Sequence, residues 1–212
     1  MSGVHGVGGT GGTDGEPGAD GARGTGGVRV RELRPEDHAQ VAELILAAYL
    51  DGGHLDPRDD YRHELADVAG RAAVAEILVA ELPGKAGAPV VTGAVVLAPP
   101  GSPLAETARE GEYEFRMLAV HPRLHGRGVG RALVEAVLAR ARAAAGVHSV
   151  VLSTMDTMTS ARSLYESLGF RRAPERDWRL RDVLEHVPEG SHEGPFPVYV
   201  RPLREDSPAS SS

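Results

Sequence analysis

The segment His125-Gly126-Arg127-Gly128-Val129-Gly130-Arg131-Ala132 constrains this chain more than any other. Its three alternating glycines follow an unbroken apolar run, Met117-Leu118-Ala119-Val120, and precede a long stretch with helical spacing. Glycine adopts backbone conformations that a Cβ forbids, and it lets the main chain approach a ligand closely. The amides of such a turn, and of the first helical turn after it, point at one place. With the helix dipole they form an anion site suited to a pyrophosphate. Arg123, Arg127 and Arg131 add positive charge there, in a chain whose formal net charge is -7. The same glycines would also serve a tight strand-to-helix turn with no ligand. A dinucleotide site of the Rossmann type requires G-x-G-x-x-G and an acidic residue about 20 positions further on. Here the spacing is G-x-G-x-G, and Val150 and Val151 stand where the acid belongs. A P-loop is excluded, because no Gly-Lys-Ser/Thr follows.

The pattern on either side predicts a layered domain. Residues 28–34 alternate with period two and read as a strand. Pro35-Glu36-Asp37 then opens a helix, with proline early and acids in the first turn. Val41, Leu44, Ile45 and Ala48 form its apolar stripe. A second helix is expected between Arg58 and Ala73. Strands over 77–82 and 90–98 are joined through Pro83-Gly84 and Gly87, and a loop covers 102–111. Residues 112–120 read as a strand whose apolar run suits burial on both faces. A helix over 129–145, a strand over 150–152 and a helix over 159–168, stopped by Gly169, follow. Two strands around a loop are expected between Phe170 and Leu203. The central strand, helix and strand make a right-handed βαβ unit. The fold class is therefore α/β (α+β): a mixed, mostly antiparallel twisted sheet with a central parallel strand pair and helices on both faces. The domain is expected over 28–204. The Gly-rich segment 1–27 and the end 205–212 are too poor in apolar residues to fold and read as tails.

Composition removes several function classes. The chain has no cysteine, which excludes a disulfide framework, a thiolate zinc site and a cysteine nucleophile. Nucleic-acid-binding domains are usually basic, and this chain is acidic. No secretory signal pattern opens it and no apolar run approaches the ~20 residues of a membrane helix, so a cytoplasmic setting without nucleic acid or membrane is expected.

Residues 118–133, Leu118-Ala-Val-His-Pro-Arg-Leu-His-Gly-Arg-Gly-Val-Gly-Arg-Ala-Leu133, resemble the coenzyme A-binding stretch of the GNAT superfamily of N-acetyltransferases. That family's pattern is Gln/Arg-x-x-Gly-x-Gly/Ala after a strand. Gly128 and Gly130 match its two glycines, and His125 replaces the usual Gln or Arg. A second match follows in the family's order: Ala161-Arg-Ser-Leu-Tyr-Glu-Ser-Leu-Gly-Phe170 is similar to Ala-x-x-Leu-Tyr-Glu-x-x-Gly-Phe. Met158 stands where the family often has Asn.

The resemblance implies acetyl-coenzyme A as co-substrate and direct acetyl transfer to an amine. It assigns Leu118, Ala119 and Val120 to the pantetheine and the thioester carbonyl. It assigns His125, Gly126, Arg127, Gly128, Val129, Gly130 and Arg131 to the pyrophosphate. The hydroxyl of Tyr165 would protonate the departing thiolate; helical spacing alone makes Tyr165 a core aromatic, since Ala161, Leu164, Tyr165 and Leu168 share one face. A general base takes the amine proton. Glu114 is the first choice and Glu112 the second; they are two apart and share a strand face, and either could act through a water. No His pair has metal-ligand spacing, so no metal is expected. The acceptor is a small-molecule or peptide amine. An acidic run with Asp51, Asp56, Asp59, Asp60, Glu64 and Asp67, His54 and His63 within it, and a loop over 182–197 with His186, Glu189, His192 and Glu193, are the segments that could meet it. A non-catalytic acyl-coenzyme A-binding module would keep the glycine turn without base or tyrosine. Dimerisation is common in the family.

Overall fold

The computed structural model describes residues 27–53, 61–84, 87–183 and 193–203. The expected tails (apart from Gly27), His54, Asp56, Asp59, Asp60, His186, Glu189 and His192 lie outside the described residues.

Period-two segments supply the strands β1 (Arg29–Glu32), β2 (Glu76–Pro83), β3 (Pro89–Ala98), β4 (Glu112–Val120), β5 (Ser149–Ser153), β6 (Arg171–Arg172) and β7 (Val198–Pro202). They form one sheet in the order β1-β2-β3-β4-β5-β7-β6. Only β4 and β5 pair in parallel; every other neighbouring pair is antiparallel. Helices α1 (His38–Asp51), α2 (Tyr61–Ala66) and α3 (Val68–Ala72) cover one face. Helices α4 (Val129–Ala143) and α5 (Thr159–Ser167) cover the other. A short helix α6 (Leu180–Val183) precedes β7. This is the mixed sheet with a central parallel pair that the pattern predicts.

Helix α4 shows why the layers hold. Val129, Leu133, Val137 and Ala141 recur four apart, and all are buried against the sheet with Val134 and Leu138. Burying one such side chain contributes roughly 1.5–3 kcal/mol. The helix approaches β3 so closely that a Cβ on Gly93 would lie 2.8 Å from Val129, 3.0 Å from Leu133 and 3.1 Å from the Ala119 carbonyl. On the far edge, Arg31 ties β1 to β2 and to the turn before α1, pairing with Glu81 at 2.5 Å and Asp37 at 2.6 Å.

Three boundaries differ from the sequence reading. The single helix expected between Arg58 and Ala73 is two, α2 and α3, broken at Asp67, whose side chain accepts the Gly70 amide at 2.8 Å and starts the second one. Such local capping competes with helix continuation. The strand expected over 28–34 is four residues long, because the chain turns at Pro35 into a 3-10 turn (Pro35–Asp37). Between Phe170 and Leu203 the first strand is only two residues, followed by a 3-10 turn and α6.

Candidate active site

Strand β4 carries the defining irregularity. Its pairing with β3 shifts register between Ala94 and Val96, and Met117 takes a left-handed φ of 50°. A β-bulge inserts one residue and reverses which face successive side chains occupy. Tyr113 and Phe115 accordingly pack in the α4–α5 layer, whereas Met117 and Ala119 pack in the α1 layer. Left-handed backbone at a non-glycine residue costs about 1–3 kcal/mol and clusters at functional sites.

On its other side, β4 pairs with β5 only at Glu112, Tyr113 and Glu114, opposite Ser149, Val150 and Val151. Beyond Glu114 the facing edges of β4 and β5 have no ladder partner among the described residues. Leu118, Ala119 and Val120, expected at the pantetheine, lie on that free edge. An extended chain laid there can hydrogen-bond to both strands as an added strand would.

The glycine turn stands at the end of this gap. A 3-10 turn (Pro122–Leu124) is capped by His121, whose Nδ1 accepts the Arg123 amide at 3.3 Å. His121 is thus a structural residue. Gly126 and Gly128 both have left-handed φ, 76° and 81°, and Gly128 is the residue before α4. The first helical amide with an acceptor is that of Ala132, bonded to the Gly128 carbonyl. Among the described residues the amides of Gly126, Gly128, Val129, Gly130 and Arg131 donate to nothing. Gly130 serves packing instead of conformation: a Cβ there would lie 3.1 Å from Leu164 of α5. His125, Arg123 and Arg127 are exposed around the turn. The Arg131 side chain reaches Ser167 Oγ at 2.9 Å and Glu135 at 3.9 Å.

At the vertex, where pairing stops, the two carboxylates separate in character. Glu112 is held by Arg176 at 2.7 and 2.9 Å and by the Arg109 amide at 2.9 Å. Burial pushes its carboxyl up, but Arg176 and that amide outweigh it and leave it below the ordinary carboxylate range. Glu114 is fully buried. Its Oε2 accepts three amides, from Glu106, Thr107 and Ala108, at 2.8 to 2.9 Å. Among the described residues its Oε1 has no hydrogen-bond partner. Burial dominates and raises its pKa above the ordinary value despite those amides.

Tyr165 lies on the opposite face of the sheet. It packs edge-on to Phe115 at 5.8 Å between ring centroids, and to Phe170 at 6.0 Å. Burial pushes its hydroxyl well above the usual tyrosine range, so it stays protonated. The core-aromatic reading and the proton-donor reading are therefore compatible. Residues 114 and 115 are adjacent, so a buried carboxylate and a buried phenol flank the vertex from its two sides.

Sequence reasoning missed the clamp on the 104–109 loop. Besides the amides held by Glu114 and Glu112, Arg116 reaches the Leu104 carbonyl at 3.2 Å and Glu106 at 2.6 Å, and Arg176 reaches the Thr107 carbonyl at 2.6 Å. The spacing of Glu112, Glu114 and Arg116 on one strand face was a visible signal; Arg176 carried none. Gly93 inside a strand was the available sign of close backbone packing. Of the candidate acceptor residues, His63, Glu64 and Asp67 are exposed, and Glu193 pairs with Arg181 at 2.5 Å. Among the described residues no group of His, Cys, Asp and Glu is placed to hold a metal ion. No helix among them is long and apolar enough to cross a membrane.

Comparison with known proteins agrees with this geometry. Mycothiol acetyltransferase of Salinispora arenicola is 44% identical over 73 residues, 34% of this chain and 22% of that protein. The chain thus spans about a fifth of the curated relatives it matches. Among solved structures, yncA of Salmonella typhimurium, with its cofactor acetyl-CoA, superposes with a TM-score of 0.59 at 23% identity, covering 85% of this chain and 96% of that one. A GCN5-related N-acetyltransferase from Kribbella flavida gives 0.54 at 22% identity, covering 83% and 98%. The sequence profile of the acetyltransferase (GNAT) family matches residues 38–170, and the chain belongs to that family.

Proposed function

We propose that this protein transfers an acetyl group from acetyl-coenzyme A directly to a primary amine on a small molecule or peptide. Three features together carry the reading: amides at 126 and 128–131 with no acceptor among the described residues, edges of β4 and β5 with no ladder partner there beyond Glu114, and the buried Glu114 and Tyr165.

The cradle amides and the dipole of α4 hold the pyrophosphate, aided by the exposed Arg123 and Arg127. The main-chain groups at 118–120 align the pantetheine, and an amide of this edge polarises the thioester carbonyl as an oxyanion hole does. The amine attacks that carbonyl, the carbon–sulfur bond breaks, and the thiolate leaves. Glu114, through Oε1 or a bridging water, takes the proton the amine loses. Its raised pKa suits that role better than the lowered one of Glu112. Tyr165 returns a proton to the thiolate. Because a thiol has a pKa near ~8.5, the thiolate is a fair leaving group without that help. Holding the reactants together supplies much of the rate. The mycothiol acetyltransferase match supports an amine acceptor without naming this one.

Thiol release from acetyl-coenzyme A, measured across a panel of small amines and peptides, tests the activity. Amine-dependent release at a rate above buffer is expected. Tight acetyl-coenzyme A binding with no release for any amine would favour a non-catalytic binding module.

A further inference from the structure

Seven arginines in this structure pair with a carboxylate among the described residues: Arg31, Arg116, Arg131, Arg140, Arg172, Arg176 and Arg181. Arg142 and Arg201 do not. Neither side chain makes a hydrogen bond or an ion pair among the described residues. They face the same groove, a cavity of about 420 Å³ where the C-terminal ends of α4 and α5 meet β7. Burial, and then the charge of Arg142, pull the guanidinium of Arg201 below its ordinary range. Arg201 is half-buried and Arg142 exposed, and both line this groove. Desolvation of Arg201 and its repulsion by Arg142 would both be relieved by a counter-charge.

The fold makes room for one. Gly169, left-handed at φ 84° just after α5, lies beside Arg201, whose Nε is 3.5 Å from where a Cβ would sit, an ordinary contact distance. Leu138 and Leu168 give the groove an apolar floor. Among the described residues the carboxylate on its wall, Glu135, is half-exposed and lies 3.9 Å from Arg131. Guanidinium groups bind oxyanions through two parallel hydrogen bonds each.

We propose that Arg142 and Arg201 form a binding site for a phosphate group, with the apolar floor accommodating the body of the molecule that carries it. The site is separate from the glycine cradle. Arg142 lies further along the same helix than Arg131, ~16 Å by helical rise. It therefore stands or falls independently of the coenzyme reading.

The test is an amide-resolved NMR titration of the full chain with inorganic phosphate and, in parallel, phenyl phosphate, at constant ionic strength with chloride as control. The amides of Leu168, Gly169 and Arg201 are expected to shift saturably. Arg201→Gln and Arg142→Gln should each weaken that response by at least about tenfold, the loss expected for one charge-assisted bond. The response of the amides at 126–131 should stay unchanged in both. Arg201→Lys, which keeps the charge and the fold but loses the fork, should weaken it less. Tighter binding of phenyl phosphate identifies a phosphate carried on an organic body, and equal binding identifies the free anion; both support the site. A response that never saturates, or one that persists in Arg201→Gln, would overturn the proposal.

Discussion

Glu112 and Glu114 are the same residue type two positions apart, and what separates them is their neighbours. Arg176, which holds Glu112, is 64 positions away in sequence. No spacing rule connects them, so the choice between the two carboxylates was not legible until the chain was folded. The distinction has pH consequences. Raised by burial, Glu114 stays protonated to higher pH than an ordinary carboxylate, and transfer should rise with pH through that raised value. Glu114→Gln is expected to flatten this limb of the kcat/KM profile and to lower the plateau by about 10²–10⁴-fold. A limb that survives the substitution assigns it to another group. For folding the signs are opposite. The raised Glu114 contributes stability at low pH that is lost as pH rises through its folded value. The lowered Glu112 contributes stability at neutral pH that is lost as pH falls through its depressed value. Acid unfolding of Arg176→Gln, compared with the parent, should show the Glu112 contribution missing. Tyr165→Phe keeps the aromatic cluster and removes only the hydroxyl. Rates should fall by no more than ~10²-fold, the low end of general-acid catalysis, with little change in melting temperature.

At the scale of elements, the most strongly patterned segments were the most legible. Helix α4 and the run through β4 declared themselves by periodicity, and the glycine turn by its spacing. What the sequence did not show was the bulge at Met117, because no residue type marks it, and the break at Asp67, because a local side-chain cap overrode a weak helical pattern. The bulge reverses the alternation and the early end of the β4–β5 ladder opens the gap, so the site owes most to the least legible features. Two glycines test the element packing. Gly93→Ala forces a Cβ against Val129 and the Ala119 carbonyl, and overpacking of this kind costs about 1–3 kcal/mol; denaturant unfolding measures it. Gly128→Ala meets strain rather than crowding, about 1–3 kcal/mol at its left-handed φ. It should weaken coenzyme binding more than Gly93→Ala does, since it tilts the cradle amides.

At the scale of the molecule, the layers divide the work. The α4–α5 face supplies the cradle and the phenol, the α1 face and the 104–109 loop enclose the carboxylate, and the parting of β4 from β5 joins them through the sheet. The mixed sheet and its helices on both faces followed from the order of periodic segments. Identity of the acceptor did not, since neither residue type nor spacing marks which of the acidic and histidine side chains would meet it. The central claim is that the turn at 126–131 and the adjoining gap bind acetyl-coenzyme A. A calorimetric titration with acetyl-coenzyme A, beside NADH as a second pyrophosphate ligand, addresses it most directly. The account predicts saturable binding of acetyl-coenzyme A, weakened by Gly128→Ala, and no saturable binding of NADH. Absence of acetyl-coenzyme A binding, or equal binding of NADH, would contradict it.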